Sequence, residues 1–246
     1  MKIIDSLMYF DEDMILDIRL NTLDKFVSKF IICEAKFNHN GIEKKLKFNI
    51  KNFKKFEKKI EYIILENQPS NLFDIKDNEP LNIRNSKILD NALIRENFQR
   101  NYCYQKLKDF SEDDLVIIND LDEIPNLENF IFKDKITLFE QNVFYYKFNL
   151  MQPDFKWVGT RACKKKKLKS LQWLRNIKGK SYPFWRLDTL ISEKKYMNID
   201  IIKNGGWHFT SIKKPVDIHY KLSNFMHHLE YEYSGLKVED MEKMVE

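Results

Sequence analysis

The stretch DLVIINDLDEIP, residues 114–125, carries four apolar residues straight into Asp120, Asp122 and Glu123. Carboxylates packed this closely repel one another unless a positive group sits among them. Along a strand, residues two apart face the same side, so Asp120 and Asp122 can converge on one point. Two carboxylates there suit a hard divalent cation, Mn²⁺ or Mg²⁺. Such a cation can grip a diphosphate and neutralise the charge that develops on it as a leaving group. The alternative is a solvated acidic loop with no chemical role.

Other residues with chemical potential lie on either side of this stretch. Leu89, Leu93, Asn97, Arg100, Tyr104 and Leu107 recur at steps of 4, 4, 3, 4 and 3, one face of a helix. An Arg on that face needs an anion: an internal carboxylate, a phosphate, or a carboxylate of the site. In GGWHF, residues 205–209, paired glycines permit positive φ and close backbone approach. Trp207 can stack on a sugar or base, and His208 can donate to a phosphate or move a proton. The competing reading of this pair is a packed corner of the core. Lys164, Lys165, Lys166, Lys167 and Lys169 place five positive charges within six residues. Near an anionic membrane each adds about 1 kcal/mol of attraction; otherwise the run is a solvated loop.

The elements that must position these groups follow from periodicity. Residues 2–8 read as a strand, and Met14, Ile15, Ile18 and Leu23 recur at helical spacing. Strands are expected at 26–35 and 61–67, a helix over 90–110, and a buried strand in DLVIIND. The Lys-rich stretch 44–59, with interspersed Leu and Phe, reads as a solvated helix or strand covering the sheet edge. Strand and helix alternate at intervals that predict an α/β fold with a mostly parallel central sheet flanked by helices. In such sheets ligands bind beyond the carboxyl ends of the strands, where Asp120 and Asp122 fall. After Pro125, NVFYYKFNL and KWVGTRAC alternate aromatic and polar residues as antiparallel strands do. We expect one domain, with a nucleotide-binding half over 1–125 and a more irregular acceptor-side half over 126–246.

Composition excludes several classes. The 246 residues are 43% hydrophobic and 14% aromatic, enough for a real core. A net charge of +5 is too small to imply nucleic acid. No apolar run approaches the roughly 20 residues of a membrane span. Cys33, Cys103 and Cys163 are odd in number and widely spaced, which suggests free thiols and a cytoplasmic setting.

Taken together, the motifs resemble glycosyltransferase family 17. CEAKFNHNG (33–41), RENFQRN (95–101) and IINDLDEIP (117–125) resemble successive family blocks, followed by YYKFN, KWVGT, GGWHFT and KLSNFMHHLE (221–230). The resemblance spans roughly residues 1–232 and implies a GT-A type fold. It also implies an inverting transfer from a UDP-sugar, with N-acetylglucosamine the family precedent. Carried over, Asp120 and Asp122 would be the metal and diphosphate carboxylates. Glu34, Arg95, Gln99, Arg100, Asp120 and Trp207 would line the donor site together with His208. Glu123, Asp188 and His208 are the candidates for the general base that inversion requires. Ala35 stands where serine is common in the family. The sequence shows no membrane anchor or lumenal stem of the kind animal members carry. A polysaccharide or lipid-linked glycan is therefore the expected acceptor, met by a cytoplasmic enzyme that touches the membrane peripherally through the lysine run. Two rival readings are a metal-dependent phosphohydrolase or nuclease, and an inactive glycan-binding homologue.

Overall fold

The computed structural model describes residues 1–183, 185–225 and 228–245. The first half alternates strand and helix: β1 (Ile3–Tyr9), α1 (Asp13–Leu23), β2 (Lys29–Ala35), β3 (Ile60–Leu65), α2 (Leu81–Tyr102) and β4 (Leu115–Ile118). The sheet begins β3-β2-β1-β4, and all three of these pairings are parallel. Every residue of β4 is buried. Leu115 and Ile117 join the core on the α1 side, while Val116 and Ile118 join the core on the other face. A strand covered on both faces must be apolar throughout, which explains the unbroken LVII run.

Beyond β4 the sheet turns mixed. The further strands are β5 (Glu123–Pro125), β6 (Ile136–Tyr145), β7 (Met151–Lys164), β8 (Ile199–Ile202) and β9 (Gly206–Thr210). β7 runs antiparallel to both β4 and β6. β6 then pairs in parallel with β8 and β9, and β9 pairs antiparallel with β5. Strands from both halves of the chain thus form one nine-stranded sheet, with more parallel than antiparallel pairings. The short helices α3 (Leu171–Asn176) and α4 (Asp188–Ile191) follow β7, and α5 (Pro215–Asn224), α6 (His228–Ser234) and α7 (Val238–Val245) end the chain. This is the α/β class expected, and its parallel-then-mixed sheet agrees with a GT-A type arrangement.

Two expectations change. Residues 44–59 form neither a long helix nor a strand but a short 3-10 segment, Ile50–Phe56, whose Phe53 and Phe56 enter the core. The long helix starts nine residues earlier than expected, at Leu81, and tightens to a 3-10 turn at Cys103–Leu107. Its buried side carries Asn91, Ala92, Gln99 and Arg100, while Leu93 and Tyr104 of the expected apolar stripe are exposed. The reason is that this side of α2 makes polar contacts: Asn91 bonds the Phe73 backbone, Gln99 the Cys33 carbonyl and Arg100 the Asp120 carboxylate. The inner face of α2 is selected for hydrogen bonding, so apolar periodicity misreads its orientation.

Candidate functional site

A cavity of about 340 Å³ opens at the carboxyl ends of β1, β2 and β4, where Tyr9, Ala35 and Asp120 line it. The loop after β4 is set by a buried ion pair. Arg19 of α1 grips Asp5 of β1 through two bonds of 2.8 Å. Its remaining amine donates to the carbonyls of Leu121 at 3.1 Å and Glu123 at 2.8 Å. Asn119 Nδ2 donates to the same Asp5 at 2.9 Å. The backbone that carries the acidic residues is therefore fastened before any ligand arrives.

The positive groups among the carboxylates are guanidiniums. Arg100 donates to Asp120 Oδ1 at 2.9 Å, and Arg175 of α3 donates to Asp120 Oδ2 at 2.6 Å. Arg175 also reaches both oxygens of Glu123, at 2.7 and 2.8 Å. Trp157 Nε1 and the backbone N–H of Asp120 complete the Glu123 shell at 2.5 and 3.0 Å. Burial opposes ionisation of Asp120, but Arg175 and Arg100 outweigh it and hold the carboxyl well below the usual range. Glu123 is depressed likewise, with Arg175 overcoming burial. Its approach needs Gly159, because a Cβ there would lie 2.5 Å from the Glu123 carboxyl carbon.

Asp122 stands apart. Burial pushes its carboxyl up, against the pull of Lys221 and His208. Lys221 Nζ and His208 Nε2 each lie 3.7 Å from it, beyond hydrogen-bond range. Asp120 and Glu123 already accept on both oxygens, whereas Asp122's basic neighbours, Lys221 and His208, stand off at 3.7 Å. Among the described residues no cluster of three or more His, Cys, Asp or Glu side chains is arranged to hold a metal. A cation at Asp122 would thus draw most of its ligands from a bound diphosphate and water, in keeping with how Mg²⁺ is usually held.

Another part of the cavity lining is aromatic. Phe10, Phe37, His39 and Phe225 line it, with the His39 and Phe225 rings 4.8 Å apart. His39 Nε2 lies 3.3 Å from Gln99 Oε1, and burial lowers its pKa. His39 Nδ1 and Asn38 Oδ1 are buried and have no protein partner. Two unsatisfied polar atoms against a cavity mark places where a ligand can supply the missing bonds.

Of the residues expected at the site, Gln99, Asp120, Asp122 and His208 line the cavity, while Arg100 lies behind Asp120. Glu34 is buried beneath it and anchors the loop after β2, accepting from Lys44, Tyr62 and the backbone of Lys47 and Phe48. Arg95 ties that loop too, bonding the His39 carbonyl and Gln68. Trp207 packs on the core, and Trp157 takes the cavity position instead. Neighbouring strand residues face opposite sides, so His208 in the cavity sends Trp207 to the core. Asp188 is off the cavity, ion-paired with Arg186 and Lys195. Arg175 was not foreseen, because a single Arg in the short LQWLRN helix carries no pattern. Lys221, from the 221–230 block, was recoverable from the resemblance; Met226 and His227 of that block lie outside the described residues. The lysine run is paired along its length. Lys164, Lys165, Lys166, Lys167 and Lys169 all pair with Glu112, Asp113, Asp134 or Glu193, which cancels most of its field.

Comparison with known proteins adds an independent line. The family model described as glycosyltransferase family 17 matches residues 1–160. No curated protein sequence matches the chain. The crystal structure of 2-C-methyl-D-erythritol 4-phosphate cytidylyltransferase from Francisella tularensis aligns over 89% of this chain and 98% of its own, at 11% identity and a TM-score of 0.36. That likeness is too slight to speak to function.

Proposed function

The chain belongs to glycosyltransferase family 17, and from that premise we propose that it transfers a sugar, N-acetylglucosamine by family precedent, from a UDP-sugar to a glycan hydroxyl with inversion. The observation that carries this reading is the make-up of the cavity lining. Part of it is aromatic with two unsatisfied polar atoms, suited to a base and ribose. Beside it, with Lys221 Nζ 5.2 Å from the Phe225 ring, stand Arg175, Lys221 and Asp122, suited to a diphosphate and its cation.

Mn²⁺ or Mg²⁺ would be held by Asp122 and would neutralise charge on the departing diphosphate. The chain's own residues do the rest. Lys221 and Arg175 supply positive charge beside the diphosphate, and Arg100 keeps Asp120 ionised and oriented. Of the three base candidates, His208 is the one that lines the cavity. As the acceptor oxygen attacks the anomeric carbon, its proton passes to a His208 ring nitrogen while the diphosphate leaves. Nδ1 is buried without a partner, and Nε2 lies 3.2 Å from Thr210 Oγ1. Glu123 is saturated by donors and serves as the brace that keeps Arg175 in place. The acceptor in this reading is a polysaccharide or lipid-linked glycan met in the cytoplasm. Among the described residues, no helix is long and apolar enough to cross a membrane.

A thermal-shift series tests the donor site. UDP at a hundredfold excess over Kd should add about 2.7 kcal/mol, a rise of several degrees. The rise should be larger with Mn²⁺ than with chelator, and Asp122→Asn should remove most of that difference. An equal shift with and without the metal, or an unchanged metal effect in Asp122→Asn, overturns the assignment of Asp122. The absence of any shift with UDP or UDP-sugars overturns the donor class.

A further inference from the structure

After α3, residues 178–183 and 185–195 form a segment whose two ends meet. The backbone N–H of Lys178 donates to the Lys194 carbonyl at 2.8 Å and closes it. Trp173 Nε1 donates to the Glu193 carbonyl at 3.1 Å beside it. Between these ends, four large apolar residues are exposed: Trp185 is 66% exposed, Leu187 72%, Leu190 71% and Ile191 89%. Leu187, Leu190 and Ile191 stand three and four residues apart across α4, so they share one side.

The same segment is basic. Lys178, Lys180, Arg186, Lys194 and Lys195 stand against only Asp188 and Glu193. Asp188 is held by Arg186 and Lys195, both at 2.7 Å, and Glu193 lies 3.6 Å from Lys169. Lys178, Lys180 and Lys194 are exposed and supply the surplus charge. Exposed apolar side chains on a segment with surplus positive charge mark an interaction surface. The combination matches an anionic bilayer, whose headgroups pair with lysines while the aliphatic and indole side chains enter the interface. A two-fold symmetric contact with a second copy would set this basic segment against itself.

We propose that residues 178–183 and 185–195 dock the protein peripherally on anionic lipid surfaces, and that the paired lysines of 164–169 do not. The segment begins directly after α3, whose Arg175 lines the cavity. Docking there would offer a lipid-borne glycan to the site, a consequence that rests on the transferase reading above.

Vesicle co-sedimentation of the full chain tests the surface without any donor. The protein should bind vesicles of phosphatidylcholine with phosphatidylglycerol at low salt, release as salt rises, and bind pure phosphatidylcholine far less. Replacing Trp185, Leu187, Leu190 and Ile191 with Ser should lower partitioning at least about tenfold. Lys178→Gln with Lys180→Gln and Lys194→Gln should do the same, and keeps the test intact if the apolar variant fails to fold. Wild-type protein that ignores anionic vesicles, or lysine variants that bind like wild type, overturn the proposal. So does sedimentation velocity showing that the apolar variant abolishes self-association while vesicle binding persists. The UDP thermal shift on the same samples separates the two readings. Vesicle binding without a shift removes the donor assignment alone, and a shift without vesicle binding removes the docking surface alone.

Discussion

Arg175 has the largest electrostatic task of any side chain at the site. It bridges Glu123, which is buried, and Asp120, whose side chain is 35% exposed and keeps Arg100 as a second partner. Removing Arg175 leaves Glu123 buried without its charged partner, which costs about 3–5 kcal/mol. Arg175→Ala should therefore lower stability by that amount in denaturant unfolding, and Arg175→Lys should recover only part, because an ammonium cannot fork to two carboxylates. A loss under about 1 kcal/mol, the range of an exposed pair, would show that the cluster is solvated. The two tryptophans separate in a similar way. Trp157→Phe loses the donor to Glu123 and should weaken UDP stabilisation, measured by thermal shift. Trp207→Phe should lower the melting temperature and leave the UDP increment unchanged.

At the scale of elements, the site depends on how closely β5, β7 and β9 approach. Gly206 adopts φ +137°, and a Cβ there would sit 2.1 Å from the Ile124 carbonyl oxygen. That oxygen belongs to the paired backbone of β5 and cannot give way. Gly206→Ala should cost at least about 2 kcal/mol from strain and displaced pairing. Because His208 rides on the same strand, the variant should also lose UDP-dependent stabilisation. Retained stability with normal UDP binding would show that β5 and β9 can separate without consequence. The paired glycines in the sequence signalled this close approach, while the identity of the opposing carbonyl depended on strands far apart in the chain.

Across the whole molecule, acid sensitivity joins the N-terminal and C-terminal segments. Burial raises the Glu12 carboxyl, but Lys221 of α5 and Lys213 outweigh it and hold it at about 2, against 4.5 unperturbed. Lys221 Nζ lies 3.1 Å from Glu12. The folded value is depressed, so this stabilisation is fully present above about pH 4.5 and is lost as pH falls towards about 2. It is worth at most about 3 kcal/mol. Glu12→Gln should be less stable than wild type at neutral pH, with the gap closing between those two pH values in urea unfolding. A gap that stays constant down to acid would mean that packing, not charge, joins α5 to the β1–α1 turn.

The sequence by itself determined the α/β class, the acidic loop at a strand end and the glycine approach before His208. Each is a local consequence of side-chain period, backbone freedom or the crowding of like charges within a few residues. It also carried enough ordered motifs to suggest the family. Tertiary structure alone decided which cation answers those charges, because Arg175 is 55 residues from Asp120 along the chain and is brought there by the β7–α3 connection. It decided that Trp157 rather than Trp207 faces the cavity, since strand parity is set by pairing register. It turned α2 so that Gln99 and Arg100 face inward. It also set acids from three separate segments against the conspicuous lysine run. Long-range charge pairing and the facing of a helix depend on which surfaces meet, and linear spacing does not record that.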